Sequence, residues 1–129
     1  KNLIKKKKLE RFFIFRDRTK YIKGFLNITD VGISSSLEEG LSNSLIEFIS
    51  FGIPTISTNV GGNSEITNNE NGFLIESNNQ TQLTSAMKTL MFDQELLAYK
   101  SLKSKEDSKK FCLNEMIKKY STLYQNILS

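Results

Sequence analysis

An α/β fold, with a parallel sheet held between helices, is what this 129-residue sequence predicts. Three observations carry that prediction. Two short apolar runs, Asp30–Ser34 and Pro54–Thr58, bracket a stretch of helical spacing. Gly52 and Pro54 end that stretch sharply. Beyond residue 80 the apolar residues recur only at helical intervals.

The elements follow in chain order. Lys1 to Leu9 reads as the end of a helix, and Phe12-Phe13-Ile14-Phe15 as a buried strand. Thr19 to Leu26 suits a short helix. Asp30-Val31-Gly32-Ile33-Ser34 is too short for a helix and runs into turn residues, so it reads as a buried strand. Gly40 lies in the turn that follows. From Leu41 onward, Leu45, Ile46 and Ile49, and less strictly Phe48, make one face of a helix of about three turns. Gly52 suits the position just past the end of that helix, and Pro54 prevents its continuation. Pro54–Thr58 is then a second strand, and the unit is a βαβ crossover of the usual right hand. Gly61-Gly62 reads as a tight turn before a short helix capped by Asn63 or Ser64, and Asn71-Gly72 as a turn. Thr81 starts a helix with Leu83, Met87, Leu90 and Met91 on one side, and Asp93 caps the next. Lys100 to Lys110 is highly charged and reads as exposed. The last helix sets Met116, Ile117, Tyr120, Leu123, Tyr124, Ile127 and Leu128 at helical spacing, and packing on the core is its simplest account.

Composition narrows the classes. The length suits one domain, residues 1–129, with a helical segment over 81–129. Cys112 is the only cysteine, which argues against a disulfide framework and fits a reducing cytoplasm. No apolar stretch approaches the ~18 residues of a membrane span. The Lys5-Lys6-Lys7-Lys8 run and the net charge of +4 read first as a solvated helix face, with attraction to anionic lipid headgroups as the alternative. Nucleic acid is not an expected partner, because no interleaved aromatics or recognised motif accompany the charge.

The chemistry concentrates at the C-terminal edge of the sheet, where open α/β sheets bind ligands. The first turn of a helix leaves amide N–H groups unpaired, and phosphate is their usual guest. Gly40, Leu41, Ser42 and Asn43 are expected in that turn, with hydroxyls from Ser42 and Ser44. Glu39 just before the helix would repel a phosphate at contact, so it suits the neutral hydroxyls of a sugar beside one. Glu47, eight positions later, suits a pair of vicinal hydroxyls such as those of ribose. Together they fit a nucleotide sugar. Spacing alone leaves a level alternative for Glu47, as the far member of a Ser44-x-x-Glu47 capping box. Glu38 reads as a solvated turn residue, and Glu65 as structural or supporting.

At these residues a family becomes visible. The stretch from Asp30 to Glu76 resembles the C-terminal domain of GT-B glycosyltransferases of the group 1 type, also called family 4. The resemblance rests on Glu39-Gly40 followed by Glu47, then Gly52-Ile53-Pro54, Gly61-Gly62-Asn63-Ser64-Glu65 and Asn71-Gly72-Phe73-Leu74-Ile75 in order. It implies a Rossmann-like three-layer α/β/α parallel sheet. It implies Glu39 as the catalytic-site carboxylate on the donor sugar, Glu47 on the ribose, and the backbone of Gly40, Leu41 and Ser42 on the sugar and diphosphate. Asn43, Ser44 and Glu65 would support them. The reaction implied is sugar transfer from a nucleotide-diphosphate sugar to an acceptor hydroxyl with retention, needing no metal or other cofactor. The implied acceptor is a saccharide or lipid-linked saccharide of surface polysaccharide or glycolipid synthesis, handled in the cytoplasm or at the membrane face.

The departures from the pattern are specific. No N-terminal GT-B domain, which normally carries the acceptor site, fits in this length. The first two strands of the C-terminal domain are missing, and with them the Arg and Lys that neutralise the leaving diphosphate. Either Phe12–Phe15 then pairs directly with Val31–Ser34, or the chain is part of a longer protein; a fragment or truncated open reading frame is the expectation. The chain alone is therefore expected to be inactive. Two alternatives stand beside the transferase: a non-catalytic remnant that binds a partner, and a nucleotide-sugar epimerase-like GT-B protein.

Overall fold

The computed structural model describes residues 1–17 and 20–128. Three parallel strands form the sheet: β1 (Gly32–Ser34), β2 (Thr55–Thr58) and β3 (Gly72–Ile75), in the order β1-β2-β3. Ile33 pairs with Ile56, and Ile56 with Phe73. Among the described residues seven α-helices accompany them: α1 (Asn2–Lys6), α2 (Ile22–Leu26), α3 (Asn43–Ser50), α4 (Asn63–Ile66), α5 (Gln80–Phe92), α6 (Gln94–Ser108) and α7 (Leu113–Leu128). The α/β prediction and the β1-α3-β2 crossover hold. Thr19, the expected start of the helix before β1, lies outside the described residues.

β2 is buried along its whole length, as a central parallel strand must be. Ile56 and Ile75 pack with Ala86 and Leu90 of α5, while Leu45 and Ile49 of α3 pack with Ile66 of α4. Burying each large aliphatic side chain stabilises the fold by roughly 1.5–3 kcal/mol. Gly32 makes room for α3: a Cβ there would lie 2.5 Å from the Phe48 ring. The end of α3 is a Schellman motif. Gly52, at φ +73°, donates its N–H to the Ile49 carbonyl, and Ile53 donates to that of Phe48. Asn79 and Asp93 cap α5 and α6 through their side chains, accepting from the N–H groups of Gln82 and Leu96.

Four expectations are corrected. Phe12–Phe15 is not a buried strand: a 3-10 turn covers Glu10–Phe12, and Phe12 and Ile14 are 65% and 79% exposed. No strand of the sheet pairs with this segment, and without one its backbone has no ladder to join. Residues 100–110 are not uniformly exposed: Lys100 retains only 3% of its accessible surface, and Ser104 is buried. The helix after Gly61-Gly62 is capped by neither Asn63 nor Ser64; Gly62 holds the cap position, and Asn63 turns its amide to the Thr58 carbonyl. Finally, α7 buries none of its described residues, so its apolar stripe does not pack on this core.

The contacts of α6 explain the second correction. The Lys100 ammonium donates to the carbonyls of Asn69 and Gly72 and stands 4.5 Å from the Phe73 ring centroid. Ser104 donates to the Asn71 carbonyl, and Asp107 accepts from the Asn68 and Asn71 side-chain amides. Ser101 donates to the Gly52 carbonyl. One polar helix face thereby holds both the end of α3 and the turn before β3.

Candidate functional site

Parallel strands bring their C-terminal ends to one edge, so the loops after β1 and β2 meet there. The loop after β1 runs from Ser35 through Ser42 to the start of α3. Within it, the Ser36 hydroxyl donates to Glu39 Oε1 at 2.8 Å, and Ser34 and Ser36 hydroxyls lie 3.4 Å apart. The loop after β2 holds this segment from the side. Thr58 Oγ1 donates to the Ser36 carbonyl at 2.6 Å, and the Gly62 N–H donates to the Gly40 carbonyl at 2.9 Å. The close approach requires glycine. A Cβ on Gly61 would fall 1.7 Å from the Glu39 carbonyl oxygen, and Gly61 has φ +50°. A Cβ on Gly62 would fall 2.9 Å from the Gly40 oxygen.

The candidate residues fall into two groups. Glu39, Gly40, Leu41 and Ser42 share the pinned loop; Glu39 is half-buried, Leu41 exposed and Ser42 buried. The helix starts at Asn43, so Gly40, Leu41 and Ser42 lead into it instead of forming its first turn. The loop is shaped by its bonds to Ser36, Thr58 and Gly62, which compete with earlier helix formation. Ser42 holds the cap position without a side-chain hydrogen bond to the helix, so no hydroxyl occupies the N–H groups of that end. Asn43, Ser44 and Glu65 are exposed.

Glu47 stands apart from the loop. It is the fifth residue of α3, exposed on the side away from buried Leu45 and Ile49, and its carboxylate has no partner among the described residues. The capping-box alternative fails, because Ser44 lies inside the helix and Ser42 precedes it. Sequence reasoning missed Ser36, Thr58 and Asn63. Asn63 is buried, its amide donates to the Thr58 carbonyl at 3.0 Å, and its Oδ1 has no partner. The three serines before Glu39 were a local signal for Ser36; nothing local marked Thr58, whose partner lies 22 positions away.

The described residues contain no helix long and apolar enough to cross a membrane. Over 122 residues the chain is 29% identical to an uncharacterised glycosyltransferase of Haemophilus influenzae, covering 93% of this chain and 35% of that protein. It is 26% identical to the N-acetyl-alpha-D-glucosaminyl L-malate synthase of Bacillus anthracis, covering 98% and 34%. It spans about a third of the length of these curated relatives. A solved glycosyltransferase from Rickettsia africae superposes with a TM-score of 0.83 at 28% identity, covering 99% of this chain and 35% of that one. Anabaena HepE, solved in complex with UDP, shares the fold with a TM-score of 0.90 at 19% identity, covering 97% and 35%. The α/β arrangement expected of part of a GT-B glycosyltransferase is therefore the one observed. The glycosyl transferases group 1 family matches residues 1–107, and the chain belongs to that family.

Proposed function

We propose that this chain is the donor-binding part of a retaining glycosyltransferase, taking a sugar from a nucleotide-diphosphate sugar to an acceptor hydroxyl. The observation that carries this reading is the pinned Glu39–Gly40 loop beside the uncapped start of α3, with Glu47 open to solvent farther along the helix. Ser36 engages one oxygen of Glu39, which leaves Oε2 to accept from sugar hydroxyls. The N–H groups at the start of α3 suit the diphosphate. Glu47 suits the vicinal hydroxyls of the ribose.

The departing diphosphate carries charge that develops as the glycosidic bond breaks, and fixed positive groups speed that step. The Arg and Lys that the family resemblance supplies for this are not found in this sequence, so the chain by itself binds donor without turning it over. The acceptor side and its role in polysaccharide or glycolipid synthesis belong to the same proposal. HepE structures with UDP and with UDP-glucose support uridine diphosphate donors as the first to try.

Titration with UDP, UDP-glucose and GDP-mannose by calorimetry tests the reading, beside a Glu47→Ala variant. Donor binding that weakens by ~1–3 kcal/mol in the variant supports it. No binding by the folded chain overturns it. The exposed side chains of Phe12, Ile14 and Tyr120 favour a second reading, a non-catalytic module that binds a partner. A stable oligomer without donor binding would support that one.

A further inference from the structure

We infer that Thr58 is a positioning residue: with Gly62, it fixes the Ser36–Gly40 loop so that Glu39 is already aimed when the donor sugar arrives. The inference rests on the donor reading above and adds to it a determinant outside the loop.

The loop is held at both ends by the turn after β2. At its start, Thr58 Oγ1 donates to the Ser36 carbonyl at 2.6 Å. At its end, the Gly62 N–H donates to the Gly40 carbonyl at 2.9 Å. Glu39 lies between the two pins, and its carboxylate is oriented from inside the loop by the Ser36 hydroxyl. Thr58 is itself held on both sides. It ends the buried central strand, it is 3% exposed, and its carbonyl accepts from the buried Asn63 amide. The bonds therefore run from Asn63 to Thr58, from Thr58 to Ser36, and from Ser36 to Glu39. A loop free to move would lose conformational entropy on binding, and that loss would weaken affinity for the part of the ligand Glu39 touches. A loop fixed in advance avoids the loss.

This arrangement predicts a larger effect on the sugar than on the nucleotide. In the donor reading Glu39 meets the sugar and Glu47 the ribose, and Glu47 stands on α3 outside the pinned segment. The readout is the ratio of UDP-glucose to UDP affinity, by calorimetry, in the whole chain. Thr58→Val keeps the side-chain shape and removes the donor; it is expected to lower the ratio about tenfold, with a smaller change in UDP affinity. Thr58→Ser restores the donor and is expected to restore the ratio. Ser36→Ala lowers the same ratio, and the double variant loses less than the sum because both act through one carboxylate.

An unchanged ratio in folded Thr58→Val overturns the inference alone, as does equal weakening of both ligands. Failure of the wild-type chain to bind UDP-glucose overturns the donor reading and this inference together. Amide hydrogen exchange supplies a check without ligand. The Gly62 N–H is expected to exchange at least about tenfold faster in Thr58→Val, while the Thr67 N–H, bonded to the Asn63 carbonyl at the end of α4, keeps its rate. Equal rates at Gly62 in both chains would show that Thr58 does not hold the loop.

Discussion

The segments Phe12–Phe15 and Lys100–Asp107 each invert what their composition suggests. The first is the most apolar run in the chain and lies largely exposed. The second is among the most charged and supplies a buried lysine, a buried serine and a half-buried aspartate to the fold. The difference teaches that burial belongs to the partner as much as to the residue. Phe12–Phe15 is extended beyond Phe12, yet β1 pairs only with β2 in this sheet, and no ladder reaches the phenylalanines. Their ring contacts stay within the N-terminal segment: Phe13 stacks with Phe15 at 6.4 Å, the Arg11 guanidinium lies over the Phe12 ring, and the Lys1 ammonium over that of Phe15. The α6 charges, by contrast, face carbonyls and side-chain amides of the Asn68–Gly72 turn and are paired with them.

The largest expected effect that sharpens this contrast is at Lys100. Lys100→Ala removes two charge-assisted bonds and the ammonium's contact with the Phe73 ring, and is expected to cost roughly 2–4 kcal/mol in urea unfolding. A loss near zero would erase the distinction between α6 and an ordinary solvated face. Next comes Asp107. Burial pushes its carboxyl upward, but the Lys110 ammonium and the Asn68 and Asn71 amides outweigh that and hold it below the ordinary 3.8. A carboxyl lowered by folding stabilises the fold at pH above 3.8, and that stability is lost as pH falls through the folded value. Asp107→Ala should therefore cost roughly 1–3 kcal/mol at pH 7, and the difference from wild type should shrink as the solution is acidified below pH 4. A difference that stays constant down to pH 2 would break the assignment. The smallest effect is at Ile14. Ile14→Ser should change unfolding free energy by no more than about 0.5 kcal/mol, since the side chain is 79% exposed. A larger loss would show that the segment packs in solution.

Much of the site was legible because its signals are local. Glu39 before a helix, Glu47 on its outer face, Gly52 at its end and Pro54 after it are all set by helix and turn chemistry within a short stretch of chain. α3 starts two residues later than its apolar spacing predicts, because Thr58 and Gly62 hold the Ser36 and Gly40 carbonyls in a loop ahead of it. Those bonds join residues brought together only by the parallel sheet, so no pattern within the loop announces them.

Hydrophobic periodicity and breakers thus determined the longer helices, the βαβ order and the sheet edge beside which Glu39 stands, since each depends on near neighbours in the chain. The pinning of Glu39 by Thr58, the role of Gly61 and Gly62 as a close-packed cradle, and the burial of Lys100 were decided by tertiary structure. Each depends on which backbone carbonyl a distant side chain meets, and that is settled only when the sheet and its helices pack.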